Sequence, residues 1–286
     1  VDKSLSIKVL EKCEGFTLKY LLFSYQGTPY PVTVCSVEMF QALEDLEARS
    51  DDVVLVSYPK CGVNWFIMIL SNLIFTTIQS KPVSTELPFI ECGDPEMKQI
   101  PSPRILATHL NYGCLPKSIF KNKAKILVLF RNAKDTAVSF FDFHNNVSGV
   151  PSYSSWDEFS SEFMNAKGIV AVTEYITWNK HVEDENTMIV IYEDLKEVNV
   201  KQTAGIFGFS PMAEQIQFAA DRAPFQAVKD KAQEIDGAGD SFLFRKGVVG
   251  DWKNLFTEAQ NQEMDAKFKV CLRGTKLGPK LKYDVY

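Results

Sequence analysis

Three short apolar runs stand out along the chain: Val53 to Val56, Ile126 to Phe130 and Met188 to Ile191. Each is rich in β-branched or aromatic residues and bounded by polar ones. None shows the alternation of a strand with one wet face, so each reads as a strand buried on both faces. The first two lead into helical patterns, from about Asn64 to Ile78 and from about Asp135 to Phe143. A shorter run, Ile105 to Thr108, predicts another strand ending at His109. Strand alternating with helix predicts an α/β fold, a central parallel sheet flanked by helices on both faces. No repeat, low-complexity segment or Pro/Gly/Ser-rich linker divides the chain, so residues 1–286 read as a single domain. Gly237-Ala238-Gly239-Asp240 predicts a flexible loop.

Composition narrows the classes of function. With 286 residues, 45% hydrophobic and 23% charged, the chain can bury a sizeable core and does not read as disordered. A net charge of −5 argues against a general nucleic-acid or anionic-membrane surface, but leaves room for a local basic cleft. The cysteines, at positions 13, 35, 61, 92, 114 and 271, include no C-x-x-C pair and no Cys/His zinc spacing. They predict reduced thiols, a cytoplasmic protein and no metal. No N-terminal signal-peptide pattern is visible. The most apolar stretch, Val53 to Phe75, is interrupted by Pro59, Lys60, Gly62 and Asn64, which suits a strand, a turn and a buried helix better than a membrane span.

The turn after the first strand reads Ser57-Tyr58-Pro59-Lys60-Cys61-Gly62-Val63-Asn64-Trp65. A strand, a Gly-containing turn and a helix N-terminus together form an anion site, because free N–H groups and the positive helix end face the ligand. Lys60 adds a mobile charge. The G-x-x-x-x-G-K-[ST] pattern is absent, which argues against an ordinary P-loop ATPase or nucleotide kinase. The same residues also describe a plain βα turn with a surface lysine and a buried tryptophan, and local chemistry does not choose between the two. Arg131-Asn132-Ala133-Lys134-Asp135-Thr136-Ala137-Val138-Ser139 follows the second strand. That puts Arg131 at a strand's carboxyl end, where open α/β sheets bind ligands, with Ser139 positioned to converge on the same anion. Phe244-Arg245-Lys246-Gly247-Val248-Val249-Gly250-Asp251-Trp252-Lys253 is a basic, glycine-containing segment that could wrap a phosphate. Taken singly, these also describe a surface arginine, a helix serine and a basic turn.

Together the motifs resemble those of the cytosolic sulfotransferases, in family order, from about Gly27 to Tyr286. Tyr58 through Trp65 is similar to the family's Y-P-K-S-G-T-T-W loop, Arg131 through Ser139 to its R-N-x-K-D-x-x-x-S motif, and Arg245 through Trp252 to its R-K-G-x-x-G-D-W signature. Ile105 through Leu110 and Phe242 through Gly247 look most like the 6B-type branch. The resemblance implies a phosphosulfate-binding loop akin to a P-loop and the donor 3′-phosphoadenosine 5′-phosphosulfate (PAPS), with PAP as the spent product. It assigns the 5′-phosphosulfate to Lys60, Cys61, Gly62, Val63 and Asn64, and adenine to Trp65, Tyr192 and Phe225. It assigns the 3′-phosphate to Arg131, Ser139, Arg245, Lys246 and Gly247.

The remaining roles concern the acceptor. Ala107-Thr108-His109-Leu110 resembles the family's K-T-H-L, in which the histidine takes the acceptor's hydroxyl proton; on the opposite side the lysine of the first loop, here Lys60, stabilises the leaving group. A neutral imidazole suits that work near pH 7. His144 and His181 match no catalytic position. Phe89 and Phe143 fall where the family lines its apolar pocket, so the implied partner is a small, largely apolar phenol or alcohol. Several positions depart from the pattern. Val63 and Asn64 replace phosphate-binding hydroxyls, Ala107 replaces a supporting lysine, and Ala223 and Pro224 replace hydroxyls before Phe225. The segment before Arg245 is short for the family's gating loop. These departures motivate an alternative, a protein of the same fold that binds nucleotide or ligand without turnover. The family's dimer motif falls at Lys253 to Gln262, where Glu258 replaces a valine and Gln262 a glutamate; a monomer or weak homodimer is the expectation.

Overall fold

In the computed structural model of the protein, the described residues are 22–25, 28–31, 35–78, 89–93, 95–147, 150, 152–167, 176–197 and 246–281. Phe225, Arg245, the expected loop at 237–240 and the departures at 223 and 224 lie outside them.

A short antiparallel hairpin, β1 (Leu22–Tyr25) and β2 (Thr28–Pro31), precedes helix α1 (Val37–Ala42). Tyr25 and Tyr30 each set a ring 4.7 Å from the Phe40 ring on α1. Among the described residues the main sheet has four strands: β3 (Val53–Ser57), β4 (Ile105–Thr108), β5 (Lys125–Phe130) and β6 (Thr187–Ile191). Their order is β4-β3-β5-β6 and every pairing is parallel. Each expected strand is present, and Val53 to Val56 and Ile105 to Thr108 pair residue for residue.

All of β3 and β4, and β5 beyond Lys125, are buried. Successive strand side chains point to opposite faces, so unbroken burial means that both faces are covered, as the uniform apolar runs require. Helix α2 (Val63–Ile78) follows β3, α3 (Lys117–Lys121) precedes β5, and α4 (Ala133–Asn146) follows it. Helices α5 (Trp156–Glu162), α6 (Tyr192–Glu197) and α7 (Glu258–Leu272) complete the set used below.

At the amino ends of the strands, Asp52 and Arg104 form a buried two-point ion pair and fix the starts of β3 and β4 side by side. Both partners are fully paired, which a buried charge needs to be tolerated. At the carboxyl ends, the chain leaves β3 toward β4 on one side and returns to β5 on the other. That reversal makes the ends of β3 and β5 the topological switch point, the usual ligand position in an open α/β sheet.

Candidate active site

The turn at the end of β3 is built from uncommon backbone geometry. Lys60 (φ 68°) and Gly62 (φ 97°) both adopt left-handed conformations. A side chain rarely tolerates this, and a lysine held there is the kind of strain that clusters at ligand sites. Gly62 is required for a second reason: a Cβ there would sit 2.5 Å from the Tyr192 ring. The first helical bond of α2 runs from Phe66 N–H to the Gly62 carbonyl at 3.1 Å. The N–H groups of the first turn, from Val63 on, face the positive end of the helix. Val63 is buried and offers only this N–H, while Asn64 is half-buried. Cys61 is buried, its Sγ 3.9 Å from Thr136 Oγ1. Trp65 and Tyr192 meet edge to face at 5.4 Å.

Arg131, at the end of β5, joins the three motifs. Its Nη1 donates to the Lys60 carbonyl at 2.9 Å, its Nη2 lies 3.5 Å from the Val248 carbonyl, and its guanidinium sits 4.4 Å over the Tyr192 ring. Asn132 caps α4 by accepting from Lys134 N–H at 2.9 Å, and its own N–H donates to buried Glu193 at 2.8 Å. Asp135 then accepts from Gly250 N–H at 2.7 Å and Trp252 N–H at 3.0 Å, holding the third motif against the second. Lys134 pairs with Asp265 at 2.6 Å and lies 4.2 Å from the Trp252 ring centre. Lys246 is exposed and reaches Asp251 at 3.0 Å, and Gly247 takes φ 62°. Ser139 is buried two turns into α4. Asp135 and Glu193 carry no role in the motif reading. Asp135 stands inside a quoted motif, whereas nothing local marks Glu193.

His109 follows β4 directly. Its Nδ1 lies 2.7 Å from the Ser57 carbonyl, which can only accept, so Nδ1 carries the proton and Nε2 keeps its lone pair. Burial, with a further push from the Lys60 charge, lowers the ring's pKa to about 4, against the opposing Ser57 bond. The ring is therefore neutral at pH 7. Phe89 forms a parallel bridge with Ala107 and sets its ring 4.8 Å from that of His109. Lys60 Nζ lies 4.5 Å from the Phe143 ring centre. The two sequence-predicted pocket aromatics thus stand beside the two predicted catalytic side chains. Ala107 is wholly buried within β4. His144 is buried against the rings of Phe140 and Tyr153 and meets Phe143 edge to face at 6.2 Å, while His181 pairs with Asp184 and stacks on Tyr112.

Among the described residues, no three His, Cys, Asp or Glu side chains group so as to hold a metal ion, and no helix is long and apolar enough to cross a membrane.

Residues 50–279 match the family described as the sulfotransferase domain. Sulfotransferase 6B1 of Mus musculus is 57% identical over 97% of this chain and 94% of its own length. Sulfotransferase 6B1 of Homo sapiens is 55% identical over 100% of this chain and 98% of its own length. Among solved structures, mouse sulfotransferase SULT7A1 complexed with PAP is 31% identical, with a TM-score of 0.80 over 92% of this chain and 98% of that one.

Proposed function

The chain belongs to the sulfotransferase family, whose donor is PAPS, and from that premise we propose that it transfers a sulfonate group to the hydroxyl of a small, largely apolar phenol or alcohol. The observation that carries this reading is the convergence at the carboxyl ends of β3 and β5, where Arg131 touches both the Lys60 carbonyl and the Val248 carbonyl. A doubly phosphorylated nucleotide fits such a site. The turn from Lys60 to Trp65 offers one set of N–H groups and a lysine, while Arg131, Lys246 and Gly247 form a second basic cluster held in place by Asp135. Trp65 and Tyr192, in contact edge to face, stand beside the turn as the aromatic residues assigned to the base.

PAPS supplies an activated sulfonate whose departure leaves negative charge on a phosphate oxygen. Lys60 holds a positive charge on that side. His109 Nε2 takes the acceptor's proton, and its fixed tautomer keeps that nitrogen available. Phe89 and Phe143 give the acceptor an apolar surface next to both groups. Arg245 and Phe225 join the 3′-phosphate and adenine contacts by resemblance alone. We also place the protein in the cytoplasm, as one domain, which suits free thiols at each described cysteine.

Mass action tests the nucleotide half of this reading. PAP should raise the melting temperature, and AMP or ATP, without a 3′-phosphate, should raise it much less. Equal stabilisation by ATP would contradict the assignment of the second basic cluster.

The assembly proposal, monomer or weak homodimer, rests on the segment from Lys253 to Gln262. Thr257 caps α7 in a reciprocal box with Gln260, and Gln262 donates to Glu258 at 2.8 Å, so the groups satisfy one another within the chain. Burying Glu258 in an interface would cost free energy, and two-fold symmetry would apply that cost twice. Light scattering at micromolar concentration should give a particle near 32.3 kDa. A stable dimer that Glu258→Val does not tighten would show that another surface controls assembly.

A further inference from the structure

Glu91 stands behind the acceptor side of the site without touching it. It is 2% exposed, yet both of its carboxylate oxygens are occupied. Oε1 accepts from the backbone N–H of His109 and Oε2 from the Thr108 hydroxyl, each at 2.7 Å. The Thr108 oxygen in turn accepts from Leu110 N–H at 3.0 Å. One carboxylate therefore fixes three consecutive residues at the point where β4 ends and the chain turns. Two residues before it, Phe89 bridges to Ala107 and lays its ring against the imidazole. The Phe89–Glu91 segment thus holds the histidine from its backbone and from one ring face, while the Ser57 carbonyl holds Nδ1.

We propose that Glu91 is a positioning residue for sulfonate transfer, holding the backbone of His109 so that Nδ1 stays on the Ser57 carbonyl and Nε2 stays aimed at the acceptor. The inference rests on His109 being the base. A buried carboxylate is a costly way to satisfy one N–H and one hydroxyl: burial pushes its acid up to about 6 even though both hydrogen bonds pull it down. Its electrostatic neighbours among the described residues are the thiols of Cys35 and Cys92, not a cation. Two short, charge-assisted bonds to adjacent residues give an angular constraint that one neutral acceptor would not. Tight constraint of a base matters because a displacement of about 1 Å can cost on the order of 100-fold in rate.

The full chain labelled with ¹⁵N-histidine gives a direct reading. With only three histidines, the imidazole signals are separable, and the one lost in His109→Ala is His109. At pH 7.5 the wild type should show His109 as a single tautomer with the proton on Nδ1. Glu91→Gln preserves shape but removes the charge, and whichever way the amide turns its NH2 replaces one of the two acceptors, so the charge-assisted pair of bonds to the His109 N–H and the Thr108 hydroxyl is lost. It should give a mixture of tautomers and an unchanged His181 signal. Turnover should fall on the order of 10- to 100-fold with PAP affinity unchanged. If Glu91→Gln does not fold, Thr108→Val, which removes one of the carboxylate's two partners, is read in the same way. A folded variant whose His109 keeps the single wild-type tautomer would overturn the proposal. The spectrum does not depend on turnover, so a wild type that transfers nothing would sink the functional reading and leave this test standing.

Discussion

His109→Ala should lower sulfonate transfer on the order of 10²- to 10⁴-fold, the usual contribution of a positioned general base, with PAP bound at wild-type affinity. The separation follows from where the side chain sits. His109 is at the end of β4, first in the order β4-β3-β5-β6, whereas the motifs read as phosphate-binding leave β3 and β5. Its bonds go to Ser57 and Glu91, and its ring contact is with Phe89. None of these is an anion ligand in the reading above. The free protein's ring has a pKa near 4, low for a base. The Lys60 charge contributes to that depression, so PAP bound beside Lys60 should raise the pKa of His109 toward the pH at which a base works best. A histidine titration with and without PAP measures this. Near-native turnover in His109→Ala would show that another group takes the proton.

Lys60→Met should lower transfer on the order of 10²- to 10³-fold, the scale for removing one preorganised charge-stabilising donor. Methionine is close in length and is equally disfavoured at φ 68°, so the turn bears the same strain in both proteins and the change isolates the charge. The Lys60 carbonyl that accepts from Arg131 is backbone and survives the substitution. Nucleotide affinity should therefore fall less than turnover. Removing the charge should also raise the His109 pKa, since Lys60 helps to lower it. The steady-state comparison is kcat against the Kd for PAP. A variant that loses affinity and keeps kcat would place Lys60 in binding alone.

Much of this arrangement was legible in the residues because the elements that carry it are locally determined. Buried parallel strands need uninterrupted apolar runs, and Val53 to Val56, Ile105 to Thr108 and Ile126 to Phe130 supply them. The helix patterns from Asn64 and Asp135 began within two residues of the observed starts at Val63 and Ala133. Arg131 was visible because it follows a strand directly, where an open sheet exposes its carboxyl ends, and Lys60 because it stands in the Gly-containing turn after one, whereas His109 was picked out by its resemblance to a family motif. What stayed hidden was the support between distant segments. Asp135 holds Gly250 and Trp252, more than a hundred positions away, and no local pattern says which backbone a buried carboxylate will meet. Glu91 serves His109 from a one-turn helix in an otherwise irregular stretch, with no periodicity to mark it. The order β4-β3-β5-β6 was likewise not readable from the runs, since parallel pairing fixes no neighbour by itself.

The measurement that bears most directly on the central claim is sulfonate transfer itself. The protein is incubated with PAPS and a panel of phenols, alcohols, steroids and amines, and sulfonated products are sought by mass spectrometry alongside release of PAP. Transfer to at least one hydroxyl acceptor, lost in His109→Ala, is the result expected. PAP-dependent stabilisation with no sulfonated product from any acceptor would contradict it, and would favour a protein that keeps the nucleotide site without turnover.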